Sequence, residues 1–138
     1  MQGTLLILGS QFAWAIGALF LKKLSGTTNP IIASTLIAFM GTIFLLPVFL
    51  LYSKDIASLT KEQWMWAGLR GILWIGIGGI LFSYGLQKIE LSHAAILSLT
   101  YPLFTALLAA IVLHETIGAR FIIASGFFVV GYLVLIRK

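Results

Sequence analysis

Cysteine is absent from this 138-residue chain, which excludes disulfides, thiolate metal sites and cysteine nucleophiles. Charge is also scarce, since 9% of the residues are charged against about 25% in ordinary soluble domains. Hydrophobic residues make up 60%, which is more apolar surface than a chain of this length can remove from water. These deficits exclude an ordinary soluble globule and a disordered chain, and they indicate a lipid bilayer as the protein's solvent and partner.

Acidic residues are the scarcest charged groups. All four lie in predicted connections or at predicted helix ends. They are Asp55, Glu62, Glu90 and Glu115. A carboxylate inside the membrane is the usual device for coupling transport to protons. We therefore expect facilitated movement or exchange of a solute rather than proton antiport.

Histidines and basic residues exclude further classes of protein. His93 and His114 bracket one predicted helix and lie about 30 Å apart along it, too far to share a metal ion or a catalytic triad. No phosphate-binding loop is present. The sequence thus predicts no enzyme, no metal site and no cofactor. The net charge of +5 is spread without any basic run, so nucleic acid is not an expected partner.

Five apolar stretches are long enough, or nearly so, to cross a bilayer core of about 30 Å as helices. They cover about residues 4–21, 30–52, 64–86, 92–113 and 118–136. They do not alternate polar and apolar residues, as the strands of a membrane β-barrel would. The sequence predicts an all-α integral membrane protein, a single domain over residues 1–138 built as a bundle of five transmembrane helices. Residues 22–29 and 53–63 are predicted to be polar connections.

Basic residues flank the predicted helices unequally. The N-terminal side carries Lys54, Lys61 and Arg120, with Arg70 if its side chain extends outward, and the opposite side carries Lys22, Lys23, Lys88, Arg137 and Lys138. The positive-inside rule then places the C-terminus of a multi-pass cell-membrane protein in the cytoplasm. The difference is only one or two charges, so insertion of copies in both orientations stays open as an alternative.

Polar and aromatic side chains inside the apolar stretches are candidates for lining a solute path. They are Gln11, Trp14, Tyr84, Ser98 and Tyr101. Tryptophan and tyrosine offer apolar faces and one hydrogen-bonding group, which suits amphipathic or cationic solutes. The alternative is that these groups bond only to neighbouring helices of the bundle.

Two prolines and one arginine are unusual residues for helix interiors in a membrane. Pro47 and Pro102 each remove a backbone hydrogen bond and favour a kink, which either frees a carbonyl near a cavity or is filled by a neighbour. Arg70 lies six residues into the third predicted helix. Its side chain either extends to the membrane surface or forms an ion pair with Glu115, which falls on the same side of the membrane.

Two segments near the fourth predicted helix carry a family resemblance. Residues 91–104 (LSHAAILSLTYPLF) and 113–117 (LHETI) resemble the most characteristic part of the EamA-type domain of the drug/metabolite transporter superfamily. In that pattern small residues enter the helix, an apolar pair follows a proline, and a glutamate closes the helix. Trp14 resembles part of the family's first helix, and Gly131 falls where the family has a glycine in its last helix. Ala124 departs from a position that is often glycine.

The resemblance implies a transporter of small metabolites or drug-like solutes, and no particular solute. Most family members carry two such domains in tandem, with ten helices and inverted halves, and this chain is similar to the second half. Alternating access is therefore expected from a homodimer, or from this chain with a homologous half. Two alternatives stay open, namely a non-transporting membrane scaffold or regulatory subunit, and a lipid-carrier flippase subunit.

Overall fold

A computed structural model of the chain describes residues 2–136, with side chains described for residues 2–134. Every regular element within these residues is a helix. The α-helices are α1 (Gln2–Ser25), α2 (Pro30–Leu51), α3 (Ser53–Ala57), α4 (Lys61–Arg70), α5 (Gly79–Lys88), α6 (Leu91–Leu97), α7 (Tyr101–Val112) and α8 (Ala119–Ile136). A π-helical segment, Gly71–Gly78, joins α4 to α5, and a 3₁₀ segment, Ser98–Thr100, joins α6 to α7.

The five predicted membrane helices are confirmed. Four helices are long and apolar enough to cross a bilayer: Gln2–Ser25, Pro30–Leu51, Lys61–Lys88 and Leu91–Val112. The fifth, α8, has 18 residues and is about 27 Å long. The chain is therefore a multi-pass membrane protein. Arg137 and Lys138, which the charge comparison counts, lie outside the described residues.

Two predicted connections are shorter in the structure than in the sequence-based assignment. The first helix does not end at Leu21 but continues to Ser25, because lysine favours helix and its ammonium group stabilises a helix C-terminus. In the second connection, Ser53–Ala57 forms the short helix α3. Helix α4 begins three residues before the predicted start, because the Thr60 hydroxyl accepts from the Gln63 N–H while the Gln63 side chain accepts from the Thr60 N–H.

The third membrane helix contains an irregularity that the sequence analysis did not predict. Residues Gly71–Gly78 are π-helical within an otherwise α-helical span. A Cβ atom on Gly78 would lie 2.9 Å from the backbone oxygen of Leu73, closer than real Cβ atoms come to other atoms. Glycine at position 78 therefore permits the wide turn, in which a carbonyl five residues earlier approaches the chain.

The two prolines behave differently. Pro47 lies inside α2, which continues past it to Leu51, and the kink predicted there stays a prediction. Pro102 lies inside the continuous membrane helix Leu91–Val112, where it has no N–H for the Ser98 carbonyl, and the Tyr101 N–H donates to that carbonyl instead. The irregularity in this helix is the 3₁₀ segment that immediately precedes α7. Its cause is the proline ring, which cannot pack against the carbonyl of residue 98 in a regular α-helix.

The chain packs as two units, Met1–Lys88 and Ile89–Lys138. The single domain predicted over residues 1–138 stays a prediction. In the first unit, α5 packs against α1 and α2. Its buried side chains cluster where α1 ends, α2 begins and α5 ends, and we call this cluster the packed end. It comprises Ser25, Pro30, Ala33, Ser34, Ser83 and Leu86.

Long-range hydrogen bonds tie the packed end together. The Lys22 ammonium group donates to the Leu86 carbonyl oxygen, and the Gln87 amide donates to the Ser25 carbonyl oxygen at 2.7 Å. The Ser34 and Ser83 hydroxyl oxygens are 2.9 Å apart and buried. Because the Ser83 hydroxyl donates its hydrogen to the Gly79 carbonyl, Ser34 is the donor to Ser83. These bonds satisfy backbone and hydroxyl groups that lipid could not satisfy.

The second unit pairs α6 with α8. A cavity of about 40 Å³ lies beside them. Its lining residues are Ile96, Leu99, Thr100, Leu103, Phe128, Val129 and Tyr132. This volume is too small for a metabolite, for which pockets of about 300 Å³ or more are typical. At the end of α7, His114 adopts a left-handed conformation with φ 54°, and the Glu115 N–H donates to the Ala109 carbonyl at 3.2 Å.

Candidate functional site

Three large side chains of the first unit meet inside the membrane-spanning region. The Arg70 guanidinium lies 4.3 Å above the centre of the Trp74 ring. The Trp74 and Trp14 rings are 6.1 Å apart between centroids and are tilted by 45°. We call Trp14, Arg70 and Trp74 the Arg–Trp cluster. It joins α1 to the third membrane helix at the junction of α4 with the π-helical segment.

The spacing of residues along the third membrane helix explains why Arg70 and Trp74 meet. Glu62, Trp66, Arg70 and Trp74 recur every four residues, so they follow one face of the third membrane helix. At its start, the Trp66 indole N–H donates to the Glu62 carboxylate at 3.3 Å. At its far end, Arg70 lies on the Trp74 ring. The pairing of Trp74 with Trp14, in contrast, depends on how α1 packs beside this helix.

The depth of Arg70 makes its charge expensive. It lies nine residues beyond the start of α4, about 13.5 Å along the axis. A guanidinium group stays protonated in proteins, and an arginine near the centre of a membrane helix costs about 2.5–3.5 kcal/mol on insertion. Contact with an aromatic face offsets about 0.5–2 kcal/mol of that cost. The Trp74 ring therefore offsets the cost of the Arg70 charge in part.

Two of the predicted path residues lie close to the cluster or within it. Trp14 belongs to it, and 55% of its surface is exposed. Gln11 precedes Trp14 by three residues on α1, so both share one face of that helix, and Gln11 is exposed. Tyr84 lies on α5, ten residues beyond Trp74, and is partly exposed. Gln11 and Trp14 thus share a face of α1, and Tyr84 lies about 15 Å from Trp74 along the helix axis.

The remaining path residues belong to the second unit. The Ser98 hydroxyl donates to the Ala94 carbonyl at 2.8 Å, one turn earlier in the same helix. This bond lies within one helix and does not test the alternative in which such groups bond to neighbouring helices. Tyr101 begins α7 and is half exposed. A role in the solute path stays a prediction for both residues.

Arg70 and Glu115 belong to different units, and the ion pair between them stays a prediction. Glu115 follows the left-handed residue His114 in the connection between α7 and α8. Within residues 2–88, the partner that the structure gives the Arg70 guanidinium is the Trp74 ring.

Sequence reasoning missed Trp74 and the π-helical segment around it. The signal for Trp74 was present, because the four-residue spacing of Trp66, Arg70 and Trp74 places all three on one helix face. The signal for the π-helical segment was weak, because Gly71, Gly76, Gly78 and Gly79 are also what close helix packing in a membrane would select.

Apolar helices that span a bilayer, with an arginine and two tryptophans inside, define a multi-pass membrane protein with a polar site in its helical region. Residues 1–137 match the model of the EamA-like transporter family, and the chain belongs to that family. This confirms the family resemblance seen in the sequence.

Two curated relatives carry the same description. Both are uncharacterized transporters of Archaeoglobus fulgidus. One is 28% identical over 143 residues, covering 100% of this chain and 50% of the relative. The other is 29% identical over 99 residues, covering 72% of this chain and 34% of the relative. The chain thus spans half or less of the length of these relatives, and no solved structure matches it significantly.

Proposed function

We propose that this protein moves small solutes across the membrane by alternating access, with two copies in opposite orientations forming the transporter. The observation that carries the proposal is relative length. The whole chain aligns with 50% of a transporter of the same family, so five membrane helices correspond to half of that protein. A second copy would supply the other half.

The exposed polar groups of the first unit support this arrangement. Gln11 is exposed, and Trp14 presents more than half of its surface, although both lie inside a membrane helix. Amide and indole N–H groups that face hydrocarbon without a partner are unfavourable. An aqueous path between two copies would hydrate these groups and would give a solute access to them.

In a tandem fusion, the orientation of the second copy follows from the number of crossings. After five crossings a chain ends on the side of the membrane opposite to its start. A second copy fused directly behind the first would therefore begin on that opposite side and would be inverted. A short flexible linker suffices for such a fusion, because it only has to continue the chain at one membrane surface.

The tandem fusion tests the proposal. Purified fusion protein is first screened by thermal shift against amino acids, nucleosides and organic acids, and each stabilising solute is then followed by counterflow in proteoliposomes. We expect at least one solute to be both stabilising and transported. Separately expressed single copies are expected to transport the same solute and to cross-link as antiparallel dimers through introduced cysteines, for which the cysteine-free chain gives no background.

Matched substitutions test whether transport depends on the residues of the predicted solute path. Trp14→Leu in both halves of the fusion is expected to lower the counterflow rate at least tenfold, whereas Phe12→Leu is expected to leave it unchanged, since Phe12 lies on the same helix and is 71% exposed. A fusion that inserts with ten crossings but binds and transports nothing would contradict the proposal and favour a scaffold. Stabilisation only by lipid-linked sugars would favour a flippase subunit.

A further inference from the structure

We propose that the Arg–Trp cluster is an anion-binding site, in which the Arg70 guanidinium holds the carboxylate or phosphate oxygens of an organic anion and Trp14 packs against its apolar part. The inference rests on the proposed function, because it names the charge class of the solute that would pass this site. It follows from the geometry of Arg70, from the distribution of acids in the first unit and from the exposure of Trp14.

The guanidinium group of Arg70 keeps its hydrogen-bonding capacity in this position. A cation–π contact uses the positive charge of a guanidinium and does not itself consume its five N–H donors. Within residues 2–88, no carboxylate lies against these donors. The acid on the same helix face, Glu62, accepts instead from the Trp66 indole. A planar fork of donors with this freedom matches the two oxygens of a carboxylate.

The charge balance of the first unit points to the same ligand. Its acids are Asp55 and Glu62, and they lie at or before the first turn of α4, about 12 Å or more from Arg70 along the helix axis. Within the first unit, the Trp74 ring is thus the group that offsets the insertion cost of Arg70. An anion bound at Arg70 would neutralise a charge that the lipid core penalises.

The cluster also disfavours cationic solutes, although tryptophan rings by themselves bind cations well. The Trp74 face is occupied by Arg70, so a second cation there would meet a fixed positive charge 4.3 Å from the ring centre. The Trp14 ring contacts Trp74 and remains 55% exposed. It offers an apolar surface beside a positive charge, which favours a flat organic anion.

Binding measurements on the purified full chain in phosphatidylcholine nanodiscs test the site. The probes are benzoate, benzamide and benzyltrimethylammonium, which share a ring and differ in charge. We expect benzoate to bind at least tenfold more tightly than benzamide, and benzyltrimethylammonium not to bind measurably. Equal affinities for benzoate and benzamide, or preferred binding of the cation, would overturn the inference.

Substitutions assign the effect to Arg70. Arg70→Gln is expected to lower benzoate affinity at least tenfold and to leave benzamide affinity unchanged. Arg70→Lys keeps the charge without the planar fork and is expected to lose affinity by a smaller factor, so it reports on the site if Arg70→Gln fails to fold. Arg120→Gln, a cation removed from the second unit, serves as the matched control. Equal benzoate affinity in the wild type and all three variants would refute the assignment.

Two sources of anion share this chemistry, namely a free organic acid and an anionic lipid headgroup. Replacing part of the phosphatidylcholine by phosphatidylglycerol separates them. Unchanged benzoate affinity assigns the site to a free organic acid. Competition by phosphatidylglycerol that disappears in Arg70→Gln assigns it to a headgroup phosphate. Absence of any Arg70-dependent binding, in either lipid, would refute an anion site.

The failure of this inference can be told apart from failure of the proposed function. If benzoate binds through Arg70 but the tandem fusion transports nothing, the anion site stands and the transport proposal falls. If the fusion transports neutral or cationic solutes and Arg70→Gln changes neither their binding nor their rate, transport stands and the anion site falls.

Discussion

At the packed end, Leu86 is 1% exposed and three helices are tied by hydrogen bonds from Lys22, Ser34 and Gln87. In the Arg–Trp cluster of the same unit, Trp74 is 40% exposed, and its ring contacts include the Arg70 guanidinium and the tilted Trp14 ring. The two regions share α1 and the third membrane helix. The packed end is close-packed and held by these hydrogen bonds, although the buried Ser25 hydroxyl has no hydrogen-bond partner among the described residues. The cluster leaves Trp14 more than half exposed and gives Arg70 no carboxylate partner within residues 2–88. We interpret the packed end as the fixed point of the unit and the cluster as the part available to a ligand.

The π-helical segment lies between these regions and sets their relative orientation. Arg70 immediately precedes it, Trp74 lies within it, and Ser83 and Leu86 follow it. One residue more or less in a helix turns everything beyond it by about 100°. The wide turn permitted by Gly78 therefore determines whether α5 can face α1 and α2 while Arg70 and Trp74 keep their own face. Four predictions test this comparison, from the largest expected effect to the smallest.

Leu86→Ala is expected to destabilise the protein most. Removing a fully buried leucine side chain leaves a cavity and costs about 2–5 kcal/mol. Unfolding in mixed detergent micelles, followed by far-UV circular dichroism, measures the loss. Leu81→Ala is the control on the same helix, and because Leu81 is 65% exposed we expect a change of less than about 0.5 kcal/mol. Equal losses in the two variants would mean that the packed end is no more tightly packed than the lipid-facing surface.

Lys22→Met is expected to have the next largest effect. The ammonium group of Lys22 caps the Leu86 carbonyl near the end of α5, and hydrogen bonds to charged groups contribute about 1.5–3 kcal/mol. Lys23→Met removes the same charge from an exposed neighbour and is expected to cost less than about 0.5 kcal/mol. The same unfolding assay compares the two. If Lys23→Met is the more damaging variant, the charge of this segment matters and the contact with Leu86 does not.

Gly78→Ala tests the π-helical segment. The new methyl group would meet the Leu73 carbonyl oxygen at 2.9 Å, and relieving such a contact costs about 1–3 kcal/mol. Gly85→Ala meets nothing within 4 Å and is expected to be neutral or to stabilise by up to about 1 kcal/mol, because alanine favours helix over glycine. Opposite signs for the two changes in melting temperature are the expected result. A stabilised Gly78→Ala variant would show that the wide turn is not needed.

The Ser34–Ser83 bond is expected to give the smallest effect. A double-mutant cycle with Ser34→Ala and Ser83→Ala is expected to yield a coupling of about 0.6 kcal/mol, the average for such bonds between membrane helices. Thr42→Val replaces Ser34→Ala in the control cycle, since the Thr42 hydroxyl bonds to the Ala38 carbonyl of its own helix at 2.9 Å. Coupling of Thr42 with Ser83 as strong as that of Ser34 would mean that the cycle reports a general loosening of the helices.

The fold could be predicted from the sequence because bilayer thickness fixes the length of an apolar helix. The start of α2 at Pro30 was predicted correctly for a local reason, namely a capping asparagine followed by a proline. The end of α1 was not, because Lys22 and Lys23 are compatible with both a helix end and a connection. The 3₁₀ segment before Pro102 was not predicted, because the sequence does not show which of the two adjacent helical turns changes its hydrogen bonding to accommodate the proline.

The candidate site was predicted less completely. Trp14 and Gln11 were recognised as polar or aromatic groups inside an apolar helix. Trp74 was not recognised as a site residue, because an aromatic residue in an apolar stretch looks like any other membrane-helix residue until the residues that contact it are known. The predicted partner of Arg70 was a carboxylate, whereas in the first unit its guanidinium lies on an indole ring. One sequence does not distinguish these partners, because the choice depends on which helix faces meet.

The sequence by itself determined that this protein spans the membrane as helices, where most of those helices begin and end, and to which family it bears resemblance. These properties follow from apolar length and local capping, which need no knowledge of the partner helix. Only the tertiary structure decided that Trp14 meets Trp74, that Ser34 meets Ser83 and that Gly71–Gly78 widens into a π-helix. In lipid every apolar face is equally well solvated, so hydrophobicity gives no preferred direction, and close packing with a few hydrogen bonds selects the faces that pair.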